Sequence, residues 1–408
     1  MFFQHAVMQK LEHWAEDIRH RANISLRADL WGEHQLDFGH FDQPSVTLTV
    51  RHPDSLPLLL SPSLASLGQL YVEGKLDIDG PLHDAIRCAY ALAGATLRDA
   101  GALLRAVKHF SHLKQEDKRA IQYHYDVSND FYRLWLDDDM VYSCAYFEEG
   151  NENLDLAQRK KIDHILTKIR LRPGQTLLDI GCGWGALVLR AAGHYGARCV
   201  GITLSENQYR LARERVAAAG LQDRVEIRLQ DYRDVDGHFD RITSVGMFEH
   251  VGRKHLTDYF KIVRNRLSAG GIALNHGITS TDPEGGETRH GGGDFIDKYV
   301  FPQGELPHLS QVVYSMQQAG LETFDIENLR RHYARTLTHW SDRYEAQSED
   351  IAALVDEKTF RIWRVYLAGC AHAFDIDQVS IYQIVCSAAE ASAQTLPWSR
   401  RYIYPAAG

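Results

Sequence analysis

The sequence predicts an α/β protein built on a mostly parallel sheet, preceded by a smaller α+β domain. Two observations carry the prediction. From residue 176 onward, apolar runs of strand length alternate with helical segments across short connections, the pattern of a parallel sheet covered on both faces. The first of these runs ends in Asp179-Ile180 and is followed by glycines at alternate positions, Gly181, Gly183 and Gly185, and then by the helix-like Ala186-Leu187-Val188-Leu189. That order reads as strand, tight turn and helix N-terminus, with a backbone open enough for a ligand to lie against it.

At 408 residues the chain is too long for one typical domain. Residues 1–110 form the predicted first domain, with Thr47–Val50 as a strand and Ser63–Val72 as a short helix. Leu97–Arg119 follows with Leu103, Val107 and Phe110 at helical spacing. It carries Arg98, Arg105, Lys108, Lys114, Lys118 and Arg119 against Asp99, Glu116 and Asp117, a basic surplus that suits either a solvated linker or a membrane-facing helix. Residues 111–122 are taken as the linker and 123–408 as the second domain. There Thr176–Ile180, Cys199–Thr203, Val225–Leu229, Arg241–Val245 and Gly271–Leu274 are the predicted strands, and Asn207–Ala219 is a helix stopped by Gly220. In such sheets ligands bind beyond the carboxyl ends of the strands. Asp179–Gly185, Thr203–Gln208, Gln230–Tyr232, Gly246–His250 and Asn275–Ile278 are therefore expected to converge on one edge.

The glycine spacing is G-x-G-x-G with an Asp two residues before the first glycine, rather than the G-x-G-x-x-G of dinucleotide sites. This pattern points to S-adenosylmethionine. The expected cofactor residues are Tyr142, Ser143, Asp179, Gly181, Gly183, Trp184, Thr203, Gln208, Gln230 and Asp231. Asp179 is suited to loop amides or to the cofactor's amino group. The end of the second strand, where a carboxylate usually holds the ribose, reads Thr203-Leu204-Ser205-Glu206-Asn207-Gln208, so Gln208 is the candidate for the ribose diol. Asp231 and Tyr232 offer a carboxylate and an aromatic face to adenine.

Four further segments sharpen this reading: Tyr123-His124-Tyr125-Asp126-Val127-Ser128-Asn129-Asp130-Phe131-Tyr132, Tyr142-Ser143-Cys144-Ala145-Tyr146-Phe147, Met247-Phe248-Glu249-His250-Val251-Gly252 and His332-Tyr333-Ala334-Arg335-Thr336-Leu337. Together with the glycine turn they resemble the cyclopropane fatty-acid synthase family, which includes the mycolic acid cyclopropane synthases. The likeness runs from about Gln122 to the C-terminus, and the first 110 residues resemble the extra domain of the phospholipid-acting bacterial members. The resemblance implies a class I S-adenosylmethionine-dependent methyltransferase fold, Rossmann-like. It also implies methylene transfer to the cis double bond of unsaturated phospholipid acyl chains, and peripheral attachment to the inner face of the membrane. A homodimer is an open expectation.

The chemistry explains the residue types. A double bond is a weak nucleophile and a sulfonium methyl a strong electrophile, so methyl transfer leaves a cation on the acyl chain. Such a site needs an apolar channel, aromatic faces and a sheltered base. The resemblance implies that the base is a bound bicarbonate held by Cys144, Glu249, His276, Ile278 and Tyr333. In that arrangement Glu249 accepts the bicarbonate OH, His276 and Tyr333 donate to its oxygens, and amides at Cys144 and Ile278 complete the cage. Cys370 matches a family cysteine considered as a nucleophile. Direct methyl transfer needs no thiolate, so Cys370 reads as a small residue of the acyl channel. Phe147, Tyr299, Phe301 and Tyr366 are candidate aromatics near the cation, or core packing.

Two features depart from the family pattern: the glycine-rich segment from Thr281 to Gly293, a lid or a plain loop, and Asp375, where relatives carry a basic residue. Hydrophobic content of 44% and charged content of 24% are those of an ordinary globular chain. Without a long apolar run, a transmembrane helix is not expected. Nor does the acidic-studded N-terminus look like a secretory signal. Six scattered cysteines without a C-x-x-C pair suit a reduced, cytoplasmic chain with no metal site. A net charge of −9 argues against a nucleic-acid partner. Two other classes remain open: an NAD-dependent oxidoreductase, and a non-catalytic lipid-binding protein on a cofactor fold. Within the enzyme reading, a methyl-branched or methylene-bearing product is the alternative.

Overall fold

The computed structural model describes residues 2–59, 62–96, 127–283, 292–301, 304–390 and 396–404. The basic stretch Leu97–Arg119, the motif residues 123–126 and positions 284–291 of the glycine-rich segment lie outside them. The chain forms two compact units.

The first unit is α+β. Strands β1 (Leu26–Leu30), β2 (His34–Asp37), β3 (Val46–Val50) and β4 (Leu76–Asp79) form a sheet in the order β2-β1-β3-β4. The β1–β3 pair is parallel and the two outer pairs are antiparallel. β1 and β3 alternate buried and half-buried residues, as a one-sided sheet requires. The expected helix after Ser63 forms as Leu64–Val72. Ser63 caps it by accepting from the Ser66 N–H, and the Ser66 hydroxyl accepts from the Ser63 N–H in return.

Whereas the expected division of the chain is continuous in sequence, the units are not. Residues 292–301 and 348–376 belong with the first one. The helix Glu357–Asp375 is fastened there by Arg361, which donates to the Tyr71 and Leu76 carbonyls at 3.1 and 3.3 Å and pairs with Asp77 at 2.9 Å. The helix Gly292–Tyr299 sets Phe295 directly on Gly68, where any Cβ would overlap the ring. Long-range docking of this kind leaves no local trace in sequence.

The second unit holds a seven-stranded sheet, β5 (Thr176–Ile180), β6 (Arg198–Thr203), β7 (Val225–Leu229), β8 (Phe239–Val245), β9 (Leu267–Ser280), β10 (Leu321–Asn328) and β11 (Val379–Ala388), in the order β10-β11-β9-β8-β5-β6-β7. The run β9-β8-β5-β6-β7 pairs in parallel throughout, while β11 runs antiparallel to both β9 and β10. Neighbouring residues go to opposite faces. Leu177, Ile272 and Val385 join a core containing residues of the helices Leu154–Lys168, Ala186–Gly193 and Glu206–Ala218. Leu178, Ala273 and Ile384 join a second core with residues of Leu256–Arg266 and Leu309–Gln318. This is the mostly parallel, two-sided sheet that the sequence predicts.

One strand differs from expectation. The sequence pattern puts Asn275–Ile278 beyond a strand ending at Leu274, yet β9 continues to Ser280. Its parallel neighbour β8 stops at the Val245–His276 pair, but β11 goes on pairing to Val379–Ser280. A strand extends as far as some partner supplies hydrogen bonds, and that partner lies a hundred residues away.

Candidate active site

The turn after β5 has the open backbone that its glycines suggest: Gly181, Gly183 and Gly185 take φ of 81°, 55° and 86°. Gly185 is the N-cap of the helix Ala186–Gly193. A cavity opens at the carboxyl ends of β5, β6 and β8, where β5 is flanked on either side by strands reached through different crossovers. Tyr142, Ser143, Asp179, Gly181, Gly183, Trp184, Thr203, Gln208 and Gln230 all line it.

Asp231 does not. Its carboxylate is drawn into a two-oxygen pairing with Arg233, at 2.8 Å to each of the two guanidinium nitrogens. Tyr232 lines the cavity instead. The Thr203 hydroxyl donates to Gln208 Oε1 at 2.8 Å, which leaves the Gln208 NH2 to donate elsewhere. The Thr243 hydroxyl donates to Asp179 Oδ1 at 2.7 Å. Burial pushes the Asp179 carboxyl up to about 6, against the pull of that hydrogen bond and of the Lys161 charge.

The first two family-like motifs meet in an aromatic cluster. Tyr142 lies 5.8, 5.5 and 5.2 Å from the rings of Tyr132, Trp135 and Trp340. Trp184 contacts Tyr132 at 5.0 Å, and its indole N–H donates to Asn129 at 2.8 Å. Tyr333 meets Trp340 edge-on at 6.0 Å. The cluster therefore ties the segment before β5, the glycine turn and the helix Arg330–Ala346 together.

Glu249 sits in a short 3-10 turn after β8, is 8% exposed, and accepts the Ile278 N–H through Oε1 at 2.6 Å. Its other oxygen, Oε2, is buried with no partner among the described residues. Burial raises the Glu249 carboxyl to about 7, and the Ile278 N–H opposes the rise. His276 is 1% exposed, and burial reinforced by the nearby Lys161 and Lys168 charges drives its pKa well below the usual value. The ring is thus neutral. Gln383 Nε2 lies 3.4 Å from Nδ1, so we assign Nδ1 as acceptor and Nε2 as the protonated nitrogen. Nε2 too is buried without a partner among the described residues.

A chain of backbone bonds links these groups to the other two motif residues. Ile278 pairs with Ile381, whose carbonyl accepts from Leu329 N–H at 2.9 Å. The Leu329 carbonyl accepts from the Tyr333 N–H at 3.0 Å and from the Cys144 thiol at 3.8 Å. Burial raises the Cys144 thiol far above neutrality, so it is not a thiolate. The Ile278 amide, expected to face an anion, is given to Glu249.

Cys370 lies on the helix Glu357–Asp375 of the first unit and is not among the cavity residues. Tyr366 of the same helix meets Phe301 and Trp363 at 6.1 and 5.6 Å, and Tyr299 meets Phe295 at 5.0 Å. Phe147 lies in the second unit, stacked on His339 at 5.6 Å with the Arg335 guanidinium over its ring.

Lys161 is a charged cavity residue that sequence reasoning missed. It lines the cavity, is 2% exposed, and donates to Ser143 Oγ at 2.7 Å. A signal existed: Lys161 falls one turn from Ile165 and Gln158 on the apolar face of its helix, where an unpaired lysine is rarely placed.

Comparison with known proteins agrees with this geometry. The family described as mycolic acid cyclopropane synthetase matches residues 112–384, and a domain of unknown function matches residues 13–101. A probable fatty acid methyltransferase of Pseudomonas putida is 48% identical over 385 residues, 94% of this chain and 97% of that protein. The cyclopropane-fatty-acyl-phospholipid synthase of Escherichia coli K12 is 37% identical over 353 residues, 83% of this chain and 87% of its own. A crystal structure of a mycolic acid cyclopropane synthase complexed with SAH and CTAB superposes with a TM-score of 0.63 at 37% identity, covering 66% of this chain and 97% of that one.

Proposed function

The chain belongs to the mycolic acid cyclopropane synthetase family of S-adenosylmethionine-dependent methyltransferases, and from that premise we propose that it builds cyclopropane rings on unsaturated phospholipid acyl chains, with bicarbonate as the base. One observation carries the choice of base. Glu249 Oε2 and His276 Nε2 are both buried and both lack a partner among the described residues. Glu249 is bonded to Ile278, two residues beyond His276 on the same face of β9. An acceptor and a donor left unsatisfied together suit a small hydrogen-bonding anion that carries its own OH.

When bound, S-adenosylmethionine supplies the methyl, whose C–S bond breaks as the first C–C bond forms, and bicarbonate takes the proton whose loss lets the second C–C bond close the ring. The protein's residues prepare these events. Gly181 and Gly183 would let the donor lie on the backbone, and Gln208, whose oxygen is taken by Thr203, would have its NH2 to offer the ribose. Tyr142, Trp184 and their aromatic neighbours exclude water and present π faces to positive charge. Glu249 accepts the anion's OH through Oε2, with Ile278 fixing the other oxygen. Neutral His276 donates from Nε2, and the Tyr333 hydroxyl is a further donor.

The phospholipid acceptor is supported by the likeness to the Escherichia coli synthase and by the accompanying N-terminal unit. Among the described residues no helix is long and apolar enough to cross a membrane. Peripheral attachment at the cytoplasmic face through residues 1–110 and the basic 97–119 stretch is part of the proposal. Vesicle binding should weaken with salt and on zwitterionic lipid; binding that ignores both would reject it.

A second reading, a methyl-branched or methylene-bearing product, is favoured by the name of the Pseudomonas putida relative. Incubation with labelled S-adenosylmethionine and unsaturated phospholipid vesicles, followed by proton NMR of the released fatty acids, separates the two. Upfield ring protons are expected. Exomethylene (=CH2) or branched-methyl signals carrying the label would establish the second reading, and no incorporation would reject both.

A further inference from the structure

The floor of the cavity contains a lysine for which the mechanism above has no use. Lys161 is buried, and its ammonium donates to Ser143 Oγ at 2.7 Å. One turn earlier on the same helix, Gln158 Nε2 donates to the Ser143 carbonyl at 2.8 Å and to the Val141 carbonyl at 3.2 Å. The helix Leu154–Lys168 thus grips residue 143 by backbone and side chain together.

The direction of the Lys161 bond is decisive. An ammonium has three donors and no acceptor, so Ser143 Oγ must be the acceptor. Its own hydroxyl proton is then committed to some other acceptor, and the described residues supply none. Ser143, Lys161 and Asp179 all line the cavity beside Gly181 and Gly183. Asp179 is the opposite pole: a carboxyl with one oxygen held by Thr243 and the second available to a donor. A donor pole and an acceptor pole side by side match the two charges of an α-amino acid zwitterion.

We propose that Lys161 is a positioning residue for the methyl donor: by donating to Ser143 Oγ it turns that hydroxyl toward the α-carboxylate of the donor's amino-acid end, while Asp179 receives the α-ammonium. This rests on the donor-site reading above. The surroundings support it. Burial lowers the Lys161 ammonium to about 8, while Asp137, Cys144 and Asp179 oppose the drop, so the group remains largely charged at neutral pH. A buried ammonium with a single hydroxyl partner is poorly compensated by the protein alone, and a ligand carboxylate completes it.

The test uses two ligands that differ only at the end in question. S-Adenosylhomocysteine carries the amino-acid end, and 5′-methylthioadenosine keeps adenine, ribose and sulfur but lacks it. Calorimetric titration of the full chain should show both binding to wild type. Lys161→Met should weaken S-adenosylhomocysteine roughly 10- to 100-fold, the scale of a hydrogen bond to a charged group, and leave methylthioadenosine within about 2-fold. Ser143→Ala, shown by circular dichroism to be folded, should show the same selectivity. Because Lys161 acts through Ser143, the double variant should lose much less than the product of the two single losses.

Equal loss of both ligands in Lys161→Met would assign the lysine to the fold and overturn the proposal, as would fully multiplicative losses. A wild type that bound neither ligand would instead overturn the donor-site reading, and this inference with it.

Discussion

Glu249 Oε1 accepts the Ile278 N–H at the first position where β9 outruns its parallel neighbour. β8 ends at Val245, opposite His276, and Gly246 N–H donates to the His276 carbonyl at 2.8 Å as the last backbone bond on that side. The next amide facing the same way is that of Ile278, and without β8 it would be a buried orphan. The Glu249 carboxylate takes the place of the missing strand. Phe248 packs on Gly277 so closely that any Cβ there would overlap its ring, which pins the turn carrying Glu249 against β9. One carboxylate oxygen is therefore structural and the other is left for chemistry.

That division makes Glu249→Gln informative. The amide oxygen keeps the Ile278 bond, and the other end loses its charge and acquires donors. Turnover should fall roughly 10²-fold or more, with donor affinity little changed. Removing dissolved carbonate should slow wild type reversibly and affect the variant much less. Unchanged turnover and carbonate dependence in the variant would make Glu249 purely structural.

The same residue sets a pH dependence of stability. Burial raises its carboxyl from 4.5 to about 7. Between those values the folded chain keeps a proton that the unfolded chain has released, so the contribution to stability falls as pH rises through the window. The whole effect is on the order of 3 kcal/mol. Glu249→Gln removes it, so the variant should gain several °C in Tm relative to wild type between pH 5 and pH 8. A constant difference in Tm across that range would contradict the raised pKa.

Gly183→Val should abolish donor binding. At φ 55° the added side chain meets nothing within 4 Å in the protein, so it projects into open space, and residue 183 borders the cavity. The left-handed backbone strains a β-branched residue by about 1–2 kcal/mol, which a domain of ordinary stability tolerates. A folded variant that binds S-adenosylhomocysteine like wild type in calorimetry would remove the glycine turn from the site.

Cys370→Ser should retain most activity. Burial pushes the thiol up to about 12, so at neutral pH it is protonated and a poor nucleophile. Product formation by the variant is the measurement. A folded, lipid-binding but inactive protein would restore a chemical role to the sulfur.

The elements that sequence alone determined are those whose causes are local. Alternate glycines at 181, 183 and 185, strand-length apolar runs from Thr176 to Val245 and the short helix ending at Val72 depend on neighbours a few residues away, and they appear in the structure where the pattern puts them. The motifs carrying Tyr142, Glu249, His276 and Tyr333 were legible as chemistry, though not as geometry. Tertiary structure alone decided the length of β9, because its hydrogen bonds come from β11. It gave the Ile278 amide to Glu249, because β8 ends early, and it turned the helix Leu154–Lys168 so that Lys161 is buried against Ser143. Asp231 went to Arg233 rather than to the cavity because a strong partner two residues away competes with any ligand. Periodicity specifies which face of an element is buried, but the partner on that face is settled only when segments a hundred residues apart compete for the same hydrogen bonds and the same apolar surface.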